Sequence, residues 1–269
     1  MRLLGKIILT GVMLGSVISM AWAGSASPLF DKPLHETHTP LPLDPDNPQS
    51  KPMLSCFYYP DFMVKQVDLG EKGAEQLSIL PAVKDHAEPP CLRANAKDEM
   101  VIDPKVWSGY FEGVKGDFVF FIADDGINNG MGFAVYSSIS GKRIFDDVAK
   151  FDNGEKIFSA LAAQTNPKNN SSTVIKLSYQ RVYAAHCSLR ANTQNCWKAI
   201  QQATSLKNTE PPNCAAAYEA EKKRTPKWAN KVDSYESVIT YDVEVVLNSK
   251  EATVSVLPVS KSMECYLAD

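Results

Sequence analysis

Six cysteines carry the clearest chemistry in this chain: Cys56, Cys91, Cys187, Cys196, Cys214 and Cys265. An even number in an exported chain reads as a disulfide framework. Six cysteines allow 15 connectivities, and sequence alone does not choose among them; the pairing expected is the sequential one, Cys56–Cys91, Cys187–Cys196 and Cys214–Cys265. Cys56 and Cys91 are the two in the N-terminal half, Cys187 and Cys196 can close a small loop, and the third pair would tie a short helix to the C-terminal strand. Zinc is the rival use of such residues. The chain has no Cys-x-x-Cys pair and only four histidines, so no metal and no cofactor is expected.

Two further groups have side chains suited to a ligand. Asp124, Asp125, Asn128 and Asn129 crowd into one acidic turn, and their oxygens are the kind that hold calcium. The spacing departs from the EF-hand loop: counted from Asp125, Ile127 falls on a ligand position and Tyr136 stands where the closing glutamate belongs. Asp and Asn also serve turns for backbone reasons alone. Lys222, Lys223, Arg224 and Lys227, with Lys231 and Trp228, form a basic patch that would suit an anionic partner such as a lipid head group. The competing reading is a helix end, where cations meet the negative dipole and Glu219 can pair with Lys223.

The histidines add little. His186 adjoins Cys187, but an oxidised cysteine cannot attack, and neighbours on a strand face opposite ways. His35 and His38 are spaced i, i+3 in a proline-rich stretch that disfavours the helix a metal pair would need. His86 stands alone in a loop. No Gly-x-Ser-x-Gly elbow, Walker loop or Gly-x-Gly-x-x-Gly fingerprint is present. Carboxylate dyads leave no local signature, so a hydrolase is not excluded by this silence.

The compartment follows from the first residues. Arg2 and Lys6 precede an apolar run from Ile7 to Met20, and Ala21, Trp22, Ala23 give the small-x-small pattern of a cleavage site. A signal peptide over 1–23 is the expectation. The apolar stretch from Ile7 to Ala23, 17 residues, is at the short limit for a membrane span, and no stable span is expected after cleavage. Loss of Arg2 and Lys6 lowers the net charge by two from −3, which argues against nucleic acid as a partner. Residues 24–52 hold seven prolines and few apolar residues, and read as a disordered tether. One disulfide-stabilised domain is then expected over 53–269.

Within it strands dominate. Leu54 to Tyr59 and Phe62 to Leu69 read as strands, with a loop from Pro81 to Cys91. Phe118 to Ile122 is a short continuous apolar run, the mark of a strand covered on both faces. The Asn- and Gly-rich turn after it predicts a hairpin with Gly132 to Ser138, and Gly141 a further turn into Lys142 to Phe145. From Val174 to Tyr183, Ile175, Leu177, Tyr179 and Tyr183 share one face of a half-buried strand. Short helices are expected near Cys196 to Thr204, with Cys196, Ile200 and Ala203 on one stripe, and from an Asn213 N-cap to about Arg224. Ile239 to Leu247 and Thr253 to Leu257 close the chain as a hairpin around Asn248 to Glu251.

Gly116 to Phe121, Gly132 to Tyr136, and Gly141 with Lys142 resemble a β-propeller blade. No second copy occurs at a fixed period, so no propeller function is carried over. The fold expected is mainly β: an antiparallel sandwich or propeller-like sheets with a small insert of two short helices, α+β being the alternative. The function expected is a non-catalytic periplasmic or secreted protein that binds a small molecule or an envelope component. The alternative is a carboxylate-dependent hydrolase of an envelope or extracellular polymer.

Overall fold

The computed structural model describes residues 29–83, 87–151, 157–165, 173–204, 206, 210–248, 255–258 and 263–268. The stretch over 1–23 read as a signal peptide, His86 and most of the turn after Asn248 lie outside the described residues.

The protein is mainly β and antiparallel. Five strands form a meander in chain order: β1 (His35–Pro40), β2 (Met53–Tyr58), β3 (Phe62–Asp68), β4 (Gln76–Pro81) and β5 (Met100–Val101). Nine strands form the second sheet: β6 (Gly109–Lys115), β7 (Phe118–Ile127), β8 (Gly130–Ser137), β9 (Arg143–Lys150), β10 (Ala160–Thr165), β11 (Thr173–Ala184), β12 (Ser237–Asn248), β13 (Ser255–Pro258) and β14 (Glu264–Leu267). The order is β13-β12-β11-β9-β8-β7-β6, with β10 beside β11 and β14 beside β12. Between β11 and β12 lie α1 (Thr193–Ala203), α2 (Ala215–Arg224), a 3-10 turn at Pro226–Trp228 and α3 (Ala229–Val232).

Alternation along β7 and β8 builds two cores at once. Phe118, Phe120, Phe133 and Val135 face a core completed by β11, β12 and the helices. Val119, Phe121, Ala134 and Tyr136 face the opposite way, onto Phe62, Val64, Leu77 and Ile79 of the five-stranded sheet. A third cluster, Leu54, Cys56, Tyr58, Met63, Val67 and Leu80, covers that sheet's outer face. The continuous apolar run therefore does mark a strand buried on both sides. The β7–β8 connection is a two-residue turn in which Asn128 and Asn129 both take φ 54°, the left-handed values that favour Asn.

Four expectations need correction. The stretch read as a tether joins the fold from Leu29 onward. Phe30 packs edge-on against Phe120 at 5.4 Å, the Asp31 amide donates to the Val114 carbonyl at 2.8 Å, and β1 pairs along its whole length with β2. An edge strand draws its order from its neighbour's ladder and needs no apolar face, and Pro40 sits at its last position, where a missing N–H does least harm. The helical insert has a third short helix, α3. Ala203 is exposed, and Trp197 takes its place on the buried stripe of α1. Cys214, not Asn213, occupies the N-cap position of α2, although the Asn213 side chain still accepts from the Ala215 amide at 3.0 Å. Strand β4 has no counterpart in the sequence reading.

Candidate functional site

The six cysteines form the sequential bonds Cys56–Cys91, Cys187–Cys196 and Cys214–Cys265. The first clamps the loop after β4 onto β2, the second closes the entry to α1, and the third fixes the start of α2 to β14. Replacing both Cys214 and Cys265 by alanine should cost up to about 4 kcal/mol on the loop-entropy model. A urea titration checks this, and an unchanged midpoint would show that α2 is held without the bond.

The acidic turn is dispersed over different tasks. Asp125 pairs with Lys72 on the surface, and that cation holds its carboxyl below the usual range. Asn128 is buried, and its carbonyl accepts from the Tyr266 hydroxyl at 2.7 Å. Asn129 offers its carbonyl to Phe151 N at 2.9 Å. Asp124 lies where the β7–β8 register shifts. Among the described residues no group of three or more His, Cys, Asp or Glu is arranged to hold a metal ion.

The basic patch is partly neutralised. Lys222 lies 3.1 Å from Glu219 and 2.9 Å from Asp233, and Arg224 makes a two-point contact with Glu221 at 2.7 and 3.0 Å. Lys231 stacks over the exposed Trp228 ring at 4.8 Å. Lys223 and Lys227 are exposed beside it. His186 is exposed and faces Glu236 at 3.3 Å. His35 stacks on Tyr58 at 4.1 Å and His38 meets Ser55 at 3.0 Å, so both serve the β1–β2 ladder.

Two buried polar clusters were not anticipated. Lys65 and Glu99 are each 1 % exposed and 2.7 Å apart. The Lys65 ammonium also donates to the carbonyls of Leu92 at 3.1 Å and Ala94 at 3.4 Å. Glu99 accepts from Gln76 at 2.7 Å and from the Ala96 amide at 2.8 Å. On the second sheet, Asp147 accepts from Tyr179 and from Arg181, whose Nε lies at 2.6 Å. Both clusters are internally satisfied, which suits structure rather than turnover.

Among the described residues, the carboxyl that rises above its ordinary range is Glu112, the extra residue of a bulge in β6, through desolvation at its oxygens although the residue is exposed overall. Asp125, Glu221, Asp233 and Glu264 are pulled down by Lys72, Arg224, Lys222 and Lys150 respectively. Glu99 is pulled down too, its hydrogen bonds outweighing the opposing effect of burial.

A groove suited to binding lies between α2 and β14. A cavity of about 520 Å³ is walled by Ala217, Ala220, Glu221 and Arg224 of α2, by Tyr235, and by Tyr266, Leu267 and Ala268, with Asn129 at one corner. The wall positions on α2 are spaced i, i+3, i+4, i+7, one helical stripe. The Cys214–Cys265 bond pins one end of α2, and the Tyr218 hydroxyl, bonded to the Tyr235 carbonyl at 2.7 Å and facing Ser237 at 2.8 Å, fixes its middle. The groove therefore has a rigid frame. Such a volume falls within the ~300–1,000 Å³ usual for ligand sites.

Fold and site together define a disulfide-stapled antiparallel β-protein with a small helical layer and a framed groove. Comparison with protein-family models, with curated proteins and with solved structures finds no match. Three disulfides fit a protein that folds in an oxidising, non-cytoplasmic compartment. No helix among the described residues is long and apolar enough to cross a membrane.

Proposed function

We propose that this is an exported, non-catalytic binding protein of the periplasm or extracellular space, freed from a signal peptide over residues 1–23. Its ligand enters the groove between α2 and β14. The observation that carries this reading is the framed cavity of about 520 Å³, lined by two tyrosines, small alanines and a paired Glu221 and Arg224. That mixture of apolar wall and a few polar groups is what ligand sites share. The hydrolase reading has less support, because Glu112 lies on β6 and is not among the residues that line this groove.

Ala220 is exposed on the groove wall, so Ala220→Trp should fill the space without disturbing a core. Protein recovered from its native compartment is expected to carry a small molecule or envelope component detectable by native mass spectrometry. The Ala220→Trp variant should emerge without it, with an unchanged circular dichroism spectrum. Equal loading of both proteins, or turnover of an extracellular polymer by the purified chain, would count against the proposal.

A further inference from the structure

We propose that the occupant of this groove is an extended peptide segment, which adds as a further strand to the edge of β14 that no described strand covers. The inference rests on the groove reading above and specifies its ligand class.

The backbone directions carry the argument. The Ser237 amide donates to the Cys187 carbonyl at 2.9 Å, and the Ser237 carbonyl accepts from Ala185 at 2.9 Å, so Ser237 turns its main chain toward β11. Glu236 and Val238 therefore turn theirs toward β14, and the Ala268 amide does donate to the Glu236 carbonyl at 2.9 Å. In an antiparallel ladder these directions alternate residue by residue. With Val238 opposite Tyr266 and Ile239 opposite Cys265, the main-chain groups of Tyr266 and Ala268 are used inward. Those of Cys265 and Leu267 point outward, away from β12. Among the described residues no strand pairs with that outer edge.

The cavity follows this edge rather than either face. Tyr266 and Leu267 both line it, and consecutive strand residues put their side chains on opposite faces. A space that opens along the strand edge touches both. Ala217 and Ala220 keep the facing wall shallow, so a peptide backbone can approach within hydrogen-bonding distance. An uncovered edge with outward N–H and C=O groups is a template for strand addition. The two tyrosines and the Glu221–Arg224 pair then meet the side chains of the added strand.

The test uses the exported chain labelled with nitrogen-15 and a panel of synthetic capped nonapeptides of unbiased sequence. A matched panel carries methyl groups on alternate backbone nitrogens. The expected result is that members of the unmodified panel shift the Cys265 and Leu267 amides and slow their exchange, while their methylated partners do not. Ala220→Trp should weaken these peptides by about tenfold or more, and Lys198→Trp, on the exposed side of α1, should not. Binding without effect on those two amides, equal binding of methylated peptides, or no response to any peptide at millimolar concentration would overturn the peptide assignment. A native ligand that is not a peptide but is displaced by Ala220→Trp would overturn it while leaving the groove reading intact. Loss of both readings would follow if Ala220→Trp changed no binding at all.

Discussion

Lys65→Met should lower stability by about 3–5 kcal/mol, because it strands the Glu99 carboxylate in a site that water does not reach. The ammonium meets three acceptors at 2.7, 3.1 and 3.4 Å, two of them carbonyls of the loop after Cys91. Removing it leaves all three short of a donor. The segment from Leu92 to Ala96 should then open to proteolysis even though Cys91 remains bonded to Cys56. A second replacement, Glu99→Met, should recover much of the loss, since an apolar pair in place of a buried ion pair is often neutral or better. A double-mutant cycle in urea measures both steps, and additive losses from the two single variants would sink the account. The pair also sets an acid limb. The folded-state pKa of Glu99 lies below its unfolded value of about 4.5. Its contribution is therefore complete above that value and is lost as pH falls through the lower folded one. In Lys65→Met that part of the acid sensitivity should shrink.

Much of the fold was legible wherever the physics was local. The run Phe118 to Ile122 declared a strand buried on both faces because every position, not every second one, was apolar. The two asparagines before Gly130 declared their turn because few residues accept left-handed backbone. The six cysteines announced a disulfide framework, and the bonds formed are the sequential set, one of the 15 that their number allows. Strand β1 was not legible. Its stability comes from pairing with β2, and its own residues, two histidines among threonines, carry no burial pattern. Strand β5 is two residues long, too short to show any period.

The candidate site was far less legible. The groove gathers Asn129, Ala217, Tyr235 and Leu267, from four separate stretches of chain, and no spacing within one stretch announces it. Only the tie between α2 and the C-terminal strand pointed there, through Cys214 and Cys265. The two buried ion pairs did leave a trace. Lys65 falls in phase with Met63 and Val67 on β3, and Arg181 in phase with Leu177 and Tyr179 on β11. A charged residue in the apolar phase of a strand has to find a partner or shift the register. Each partner lies 34 residues away in sequence, which is why the phase could flag the charge but not name its counterion.

Arg181→Met is expected to cost about 3–5 kcal/mol as well, for a different structural reason. Strands β9 and β11 are matched at one residue pair, Arg181 with Ala149, while β10 pairs with Thr173 to Ser178 on that edge of β11. The sheet's two halves, β6 to β9 and β10 to β14, therefore meet at a narrow seam. Asp147 and Arg181, both about nine-tenths buried on a side-chain basis, clasp that seam. The guanidinium uses two nitrogens on Asp147 and turns a third toward the Tyr241 hydroxyl at 3.5 Å. Burial opposes the charge on the Arg181 guanidinium, and the Asp147 carboxylate outweighs it and holds the cation charged. Burial and the same carboxylate push the Tyr179 hydroxyl strongly upward, so it stays a donor. Lysine cannot reproduce the planar fork, so Arg181→Lys should lose roughly 1–3 kcal/mol rather than restore the site. The distinguishing measurement is amide exchange. In Arg181→Met, protection should fall first at Val148 to Lys150, on the β9 side of the seam, while the β7–β8 and β11–β12 ladders keep theirs until global unfolding. Uniform loss of protection across both halves would mean that Arg181 stabilises the sheet as a whole and that the seam is no weaker than its surroundings.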